Sequence, residues 1–197
     1  MTATISRKEK IVIVSAPSGA GKSTVVKHLL GADLGLEFSV SATSRAKREG
    51  EQDGREYYFI TADEFRQKIE NDELLEWQEV YKGSYYGTLK SEVGRIHANG
   101  NVPIFDLDVV GGLNVKKMYG EHALALFIQP PSIEVLEQRL RSRNSDSEEN
   151  LKKRLGKAAW ELEFASKFDR ILVNGELETA LKNAENAVRQ FLGDNDR

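Results

Sequence analysis

The chain has 197 residues, of which 40% are hydrophobic and 30% charged, enough apolar side chains for the core of one compact domain and too many for wholesale disorder. Its 28 Lys and Arg against 31 Asp and Glu leave a formal net charge of −3, so there is no global basic field to hold nucleic acid. The absence of cysteine excludes disulfide frameworks, thiol catalysis and Cys-ligated zinc. The early apolar run Ile11–Val14 is far short of the ~20 residues of a membrane-spanning helix. Met1–Lys10 lacks the pattern of a secretory signal. A cytoplasmic protein is expected, with no membrane and no nucleic acid among its partners.

In chain order, Ile11–Ser15 is a continuous apolar run of the kind buried on both faces of a parallel sheet. Pro17–Gly21 breaks it, and Lys22–Leu30 reads as a helix ended near Gly31. Phe38–Val40 is a weak strand, and Ser41–Arg55, polar and carrying Arg45, Lys47, Arg48 and Arg55, reads as a loop. Tyr57–Ile60 is a strand. Thr61 with Glu64 three residues on is a capping-box pattern that opens a helix to about Asn71. Leu74–Val80 and Tyr85–Thr88 are strands flanking the turn Lys82-Gly83-Ser84. Leu89–Asn99 is helical, Val102–Leu107 a buried strand, Val109–Tyr119 helical, and Ala123–Ile128 another buried strand. Ser132 caps a helix to about Arg141, and Ser142–Asn150 is turn-like. A long helix follows over Glu148–Lys167, then a strand at Ile171–Val173 and a closing helix over Leu177–Leu192. Apolar strands at 11, 102, 123 and 171 separated by helices predict an α/β fold with a parallel sheet covered on both faces. The segment 37–88, with several short strands and one helix, predicts a small mixed lobe inserted in that core, and 129–165 a helical excursion.

Ala16-Pro17-Ser18-Gly19-Ala20-Gly21-Lys22-Ser23 stands between the first strand and the first helix, the context a phosphate-binding loop requires. Its glycines let successive backbone N–H groups turn inward on phosphate oxygens, and the following helix offers its positive end to the same anion. Lys22 reaches the β- and γ-phosphates, and the Ser23 hydroxyl can ligate Mg²⁺. The pattern opens on Ala16 where the usual loop has Gly. Asp106, ending the Val102–Leu107 strand, is a candidate for holding Mg²⁺ or its waters; the alternative is that Asp106 and Asp108 cap the next helix.

Ser41-Ala42-Thr43-Ser44-Arg45-Ala46-Lys47-Arg48, Gly54-Arg55-Glu56-Tyr57, Leu75-Glu76-Trp77 and Tyr85-Tyr86-Gly87-Thr88 follow in an order that resembles the guanylate kinase family, bacterial type, over nearly the whole chain from Ile11 to the last helix. The resemblance implies a P-loop nucleoside monophosphate kinase fold. It divides the single domain into a core (1–36, 92–128 and 166–197), a GMP-binding lobe (37–91) and a lid (129–165). It implies transfer of the γ-phosphoryl group of ATP to GMP, assisted by Mg²⁺, in purine nucleotide metabolism. Arg45 and Arg48 would clamp the GMP phosphate, with Tyr57 and Tyr86 donating hydroxyls to it. Planar guanidinium forks suit phosphate oxygens whatever the family. Glu76 would accept from guanine N1–H and N2, with Ser41, Thr88 and Asp108 adding contacts to the base.

In the family's lid an arginine before the turn and one on the next helix close over the phosphates, which maps onto Arg143 and Arg154. Arg139 and Arg141 fit helix ion pairs with acidic neighbours such as Glu137. Asn174 lies where the family contacts adenine. His28, His97 and His122 have no metal-like spacing and read as structural, and Trp77 and Trp160 as packing residues. Two other functions remain open: a kinase on this scaffold with another acceptor, such as ribose 1,5-bisphosphate, and a non-catalytic protein-binding module. Oligomeric state, including a homodimer, is also open.

Overall fold

The computed structural model describes residues 6–142 and 147–193. Strands β1 (Ile11–Ser15), β2 (Leu36–Phe38), β7 (Val102–Asp106), β8 (Ala123–Gln129) and β9 (Arg170–Val173) form a sheet in the order β2-β7-β1-β8-β9. Every neighbouring pair in it is parallel. Alternate residues of β1 serve opposite cores, as the two-residue period of a strand demands. Val12 and Val14 pack with Val25, Val26 and Leu29 of α1 (Lys22–Gly31) and Ala184, Val188 and Leu192 of α7 (Leu177–Leu192). Ile11 and Ile13 pack with Phe105, Phe127, Phe168 and with Val109 and Val115 of α4 (Val109–Tyr119). Burial on both faces is why β1, β7 and β8 read as apolar runs, whereas β9, at the sheet edge, leaves Ile171 and Val173 exposed. Among the described residues no helix is long and apolar enough to cross a membrane.

The second sheet, β4-β3-β6-β5, lies over the carboxyl ends of the first. It is made of β3 (Ala42–Thr43), β4 (Tyr58–Phe59), β5 (Leu74–Tyr81) and β6 (Ser84–Leu89). Helix α2 (Ala62–Glu70) closes its back. Its N-cap is the expected capping box: the Thr61 hydroxyl accepts from the Glu64 N–H at 3.2 Å, and the Glu64 carboxylate from the Thr61 N–H at 2.7 Å. Phe65 of α2 is fully buried and stacks on Tyr85 at 5.3 Å between ring centroids. Gly87 is forced here: a Cβ on it would stand 2.6 Å from the Glu76 carbonyl oxygen and 2.9 Å from Trp77 Cβ.

Three local expectations shift. The strand expected at Phe38–Val40 lies at Leu36–Phe38 and joins the parallel sheet beside β7, because the Val40 N–H is taken by the Glu92 carboxylate at 3.2 Å. The loop expected over Ser41–Arg55 contains β3, two buried residues too short to show a period. The long helix ends earlier: α6 runs Glu148–Leu162, with a 3₁₀ turn at Ala165–Lys167. Helix α3 (Lys90–Ala98) carries Glu92, which is 3% exposed and also accepts from the Tyr58 hydroxyl at 3.0 Å and from Arg95, so one carboxylate ties β4 and the chain after β2 to α3.

Phe65→Ala empties the one large buried ring between α2 and the second sheet. It is expected to lower unfolding free energy by about 3–5 kcal/mol in urea titrations, and an unchanged midpoint would refute this packing.

Candidate active site

The phosphate loop begins where β1 ends. Gly19 at φ +94° and Gly21 at φ +103° hold left-handed conformations that an L side chain rarely adopts. Gly21 is also the N-cap of α1. A Cβ on Gly21 would stand 2.3 Å from the Asn174 side-chain nitrogen. That amide donates to the Ala20 carbonyl at 2.8 Å, and Asn174 is 5% exposed. Its own carbonyl accepts from Arg139 at 2.8 Å, and its N–H donates to Gln129 at 2.8 Å. Asn174 thus braces the loop from the end of β9, and it also lines a cleft with Gly19, Thr24 and Arg139. Arg139 makes this bond in place of the ion pair with Glu137 that its spacing suggested.

The loop borders a cavity of about 330 Å³. Ala16–Gly19 and Gly21–Thr24 form one side, with Asp108 and, from α6, Lys157 and Glu161 on the others. Lys22 Nζ contacts the Asp106 carboxylate and donates to the Leu107 carbonyl at 3.2 Å. Register brings these together, since Asp106 sits opposite Val14 in the parallel pair β7–β1. Ser23 is exposed in the first turn of α1. Arg154 donates to the Ser18 hydroxyl at 2.6 Å, which draws α6 over the loop. Arg143 lies outside the described residues. Arg141 pairs with Glu137 at 2.9 Å and with Glu148 on an exposed face, as its spacing suggested.

A second cavity, of about 220 Å³, opens on the other side of Asp106–Leu107–Asp108 and is lined by Ser41, Tyr57, Glu76 and Tyr86. Glu76 faces Thr88 across β5–β6, next to a register shift between Leu74 and Glu76, the kind of bulge that re-aims a side chain. The Thr88 hydroxyl donates to Glu76 Oε1 at 2.8 Å. A Cβ on Gly111, in the first turn of α4, would stand 3.0 Å from Glu76 Oε2, so the glycine leaves the carboxylate its place beside that helix's positive end. Burial pushes the Glu76 carboxyl up, the Thr88 hydroxyl opposes it, and the charge of Asp108 adds to the rise. Asp108 also caps α4, its Oδ1 accepting from the Gly111 N–H at 2.8 Å, so the capping alternative holds for Asp108 and not for Asp106.

Arg45 is 14% exposed at its side chain and forks onto Glu51 at 2.7 and 2.6 Å. The rings of Tyr57 and Phe59 lie 5.2 and 5.5 Å from its guanidinium carbon. Its Nε is buried without a hydrogen-bond partner, a donor left for an anion. Glu51 in turn is held down to about 2, first by Arg45 and then by the Arg48 N–H. Tyr57 and Tyr86 meet edge to face at 5.7 Å. Arg48 offers Glu51 its backbone N–H and leaves its side chain exposed. Glu51, Gly111 and Glu161 were not legible as site residues: each is one member of a charged loop, a glycine pair or a helix, with no spacing that marks it.

A parallel sheet whose first strand feeds a phosphate loop and helix, with a lobe over its carboxyl ends and a helix pair bending over the loop, defines a P-loop kinase. The guanylate kinase family profile matches residues 8–191, and the chain belongs to that family. A guanylate kinase of Porphyromonas gingivalis is 53% identical over 184 residues, 93% of this chain and 98% of that protein. One of Bacteroides fragilis is 52% identical over 184 residues, 93% of this chain and 90% of that one. The crystal structure of guanylate kinase from Anaplasma phagocytophilum superposes with a TM-score of 0.72 at 31% identity, covering 92% of this chain and 85% of the other.

Gly21→Ala meets both a left-handed φ and the Asn174 amide. It is expected to weaken nucleotide binding at the loop by about tenfold or more in calorimetry while the far-ultraviolet dichroism stays native; unaltered affinity would remove the loop from the site. For Glu51→Gln, which takes the charge from the Arg45 fork, KM for the acceptor phosphate is expected to rise about tenfold, and an unchanged KM would count against Arg45 as its ligand.

Proposed function

We propose that the chain moves the γ-phosphoryl group of ATP to GMP across the segment Asp106–Leu107–Asp108, with ATP in the phosphate-loop cavity and GMP in the second cavity. The observation that carries this reading is that Asp108 walls both cavities, with Lys22 between them on Asp106 and Leu107. Ala16 to Ser23 cradle the donor phosphates, Lys22 contacts the group in flight, and Arg154 with Arg143 neutralises charge that spreads onto it. Asn174 holds the loop and borders the cleft for the adenine. On the acceptor side Arg45, Arg48, Tyr57 and Tyr86 take the GMP phosphate. Glu76 accepts from N1–H and the N2 amino group of guanine, with Ser41, Thr88 and Asp108 beside it. Adenine presents an acceptor at N1, and a buried carboxylate facing it would be left unpaired.

Segments 37–91 and 129–165 act as acceptor lobe and lid over a core of 1–36, 92–128 and 166–197, and their closure excludes water. A phosphate monoester has its second pKa near ~6, so GMP arrives largely dianionic and needs no general base. Among the described residues no group of three or more His, Asp or Glu gathers to hold a metal. One hydroxyl at Ser23 and one carboxylate at Asp106 fit Mg²⁺, which keeps most of its ligands as water and substrate phosphate. The ion would supply charge neutralisation for the donor phosphates. The cytoplasm is the proposed compartment.

A coupled assay of ADP release with GMP, AMP and ribose 1,5-bisphosphate, each with and without Mg²⁺, tests this reading. ADP release dependent on GMP and Mg²⁺ is expected, and preference for either other acceptor would overturn it. Glu76→Gln is expected to lower kcat/KM for GMP by about 10–100-fold while AMP turnover does not fall, since the amide can donate to adenine N1. Because Glu76 must be ionised to accept both guanine donors and burial raises its pKa, KM for GMP is expected to climb as pH falls, starting at a higher pH than for an exposed carboxylate. Lys22→Ala is expected to abolish transfer while GMP still binds in calorimetry.

A further inference from the structure

Helix α6 turns one face to the phosphate loop. Arg154, Lys157 and Glu161 stand three and four residues apart, so they share that face. Arg154 bonds Ser18, and the other two line the loop's cavity. Glu161 is 4% exposed, its Oε2 has no hydrogen-bond partner, and its Oε1 is 3.8 Å from Lys157 Nζ. Nothing in the transfer described above uses it.

A buried, half-paired carboxylate favours its neutral form. The charged groups facing Glu161 are Lys157 on its own helix, Asp108 at the start of α4 and Lys22 of α1. Burial is the largest influence and raises the carboxyl. Lys157 opposes it, Asp108 adds to the rise, and Lys22 and the Ser18 amide oppose it more weakly. Donor phosphates entering this cavity add negative charge beside the carboxylate. They also give Lys22 and Lys157 stronger partners, which removes the positive charge that kept Glu161 ionised. Both changes act in one direction.

We propose that Glu161 takes up a proton from solvent when the phosphates of a nucleoside diphosphate or triphosphate enter the loop's cavity, and that the carboxylic O–H then donates to a phosphate oxygen. This rests on the donor-site reading above. Donor affinity then rises as pH falls, because the group holds its proton more tightly in the complex than in the free protein.

The test is calorimetric titration of the whole chain with MgADP at about pH 7, in buffers of different ionisation enthalpy, which gives the number of protons taken up per nucleotide. Protons exchanged by the nucleotide and Mg²⁺ themselves are common to all variants. Glu161→Gln keeps the shape and a donor but cannot titrate. The wild type is expected to take up more protons than Glu161→Gln, by at most about one, and its affinity is expected to change more with pH, by up to about tenfold per pH unit. Equal proton counts would overturn the proposal while leaving the donor-site reading intact; no MgADP binding to the wild type would overturn both. A second variant, Lys157→Met, removes the counter-charge, and the pH at which uptake occurs is expected to move upward. An unmoved uptake pH would overturn the proposal even if Glu161→Gln failed to fold.

Discussion

Backbone amides can face an anion here only while Gly19 and Gly21 stay left-handed, and the Asn174 side chain holds them there. Its amide reaches from the end of β9 to the carbonyl between the two glycines, and its backbone is fixed by Gln129 and Arg139. The brace comes from the protein itself, because the sheet order that places β9 two strands from β1 also places Asn174 at the loop. A preorganised cradle loses little entropy on binding, and its dipoles need no rearrangement as charge moves.

Three cations facing the crevice are paired with carboxylates: Lys22 with Asp106, Arg45 with Glu51, and Lys157 with Glu161. Bare positive charges lining a small cavity would repel one another, and the pairing spreads that cost over the site. In the proposed reading phosphates draw Lys22 and Lys157 from their carboxylates, while Arg45 keeps Glu51 and offers its unpartnered Nε. The three carboxylates are not equivalent. Glu51 is held well below the ordinary range by Arg45 and stays ionised, so its fork keeps an ionic partner throughout, whereas Glu161 is buried and poised to become neutral.

Where chemistry dictates local sequence, the sequence was legible. The buried strands of the parallel sheet must be apolar on both faces, so β1, β7 and β8 stand out as unbroken runs. The phosphate loop must combine two glycines with Lys and Ser after a strand. The Thr61–Glu64 box and the β5–β6 hairpin obey local rules of capping and turn chemistry. What stayed hidden depends on contacts between distant segments. β2 ends at Phe38 because Glu92, 54 positions on, takes the Val40 N–H. β3 is two residues long and exists only because β6 and β4 flank it. Trp77 and Trp160, expected as packing residues, are 46% and 44% exposed and keep one close ring contact each, with Tyr85 and Phe164. The pairing of Arg45 with Glu51 and the place of Glu161 at the loop follow from how loops and helices bend back onto the core, which no spacing records.

The central claim is that two nucleotides lie end to end on either side of Asp108. A crystal structure with GMP and ADP bound together tests it most directly. The account predicts the ADP β-phosphate within the turn of residues 16–23 and the guanine edge within hydrogen-bonding distance of the Glu76 carboxylate. A purine ring seated away from Glu76, or a turn at 16–23 holding no phosphate, would contradict it.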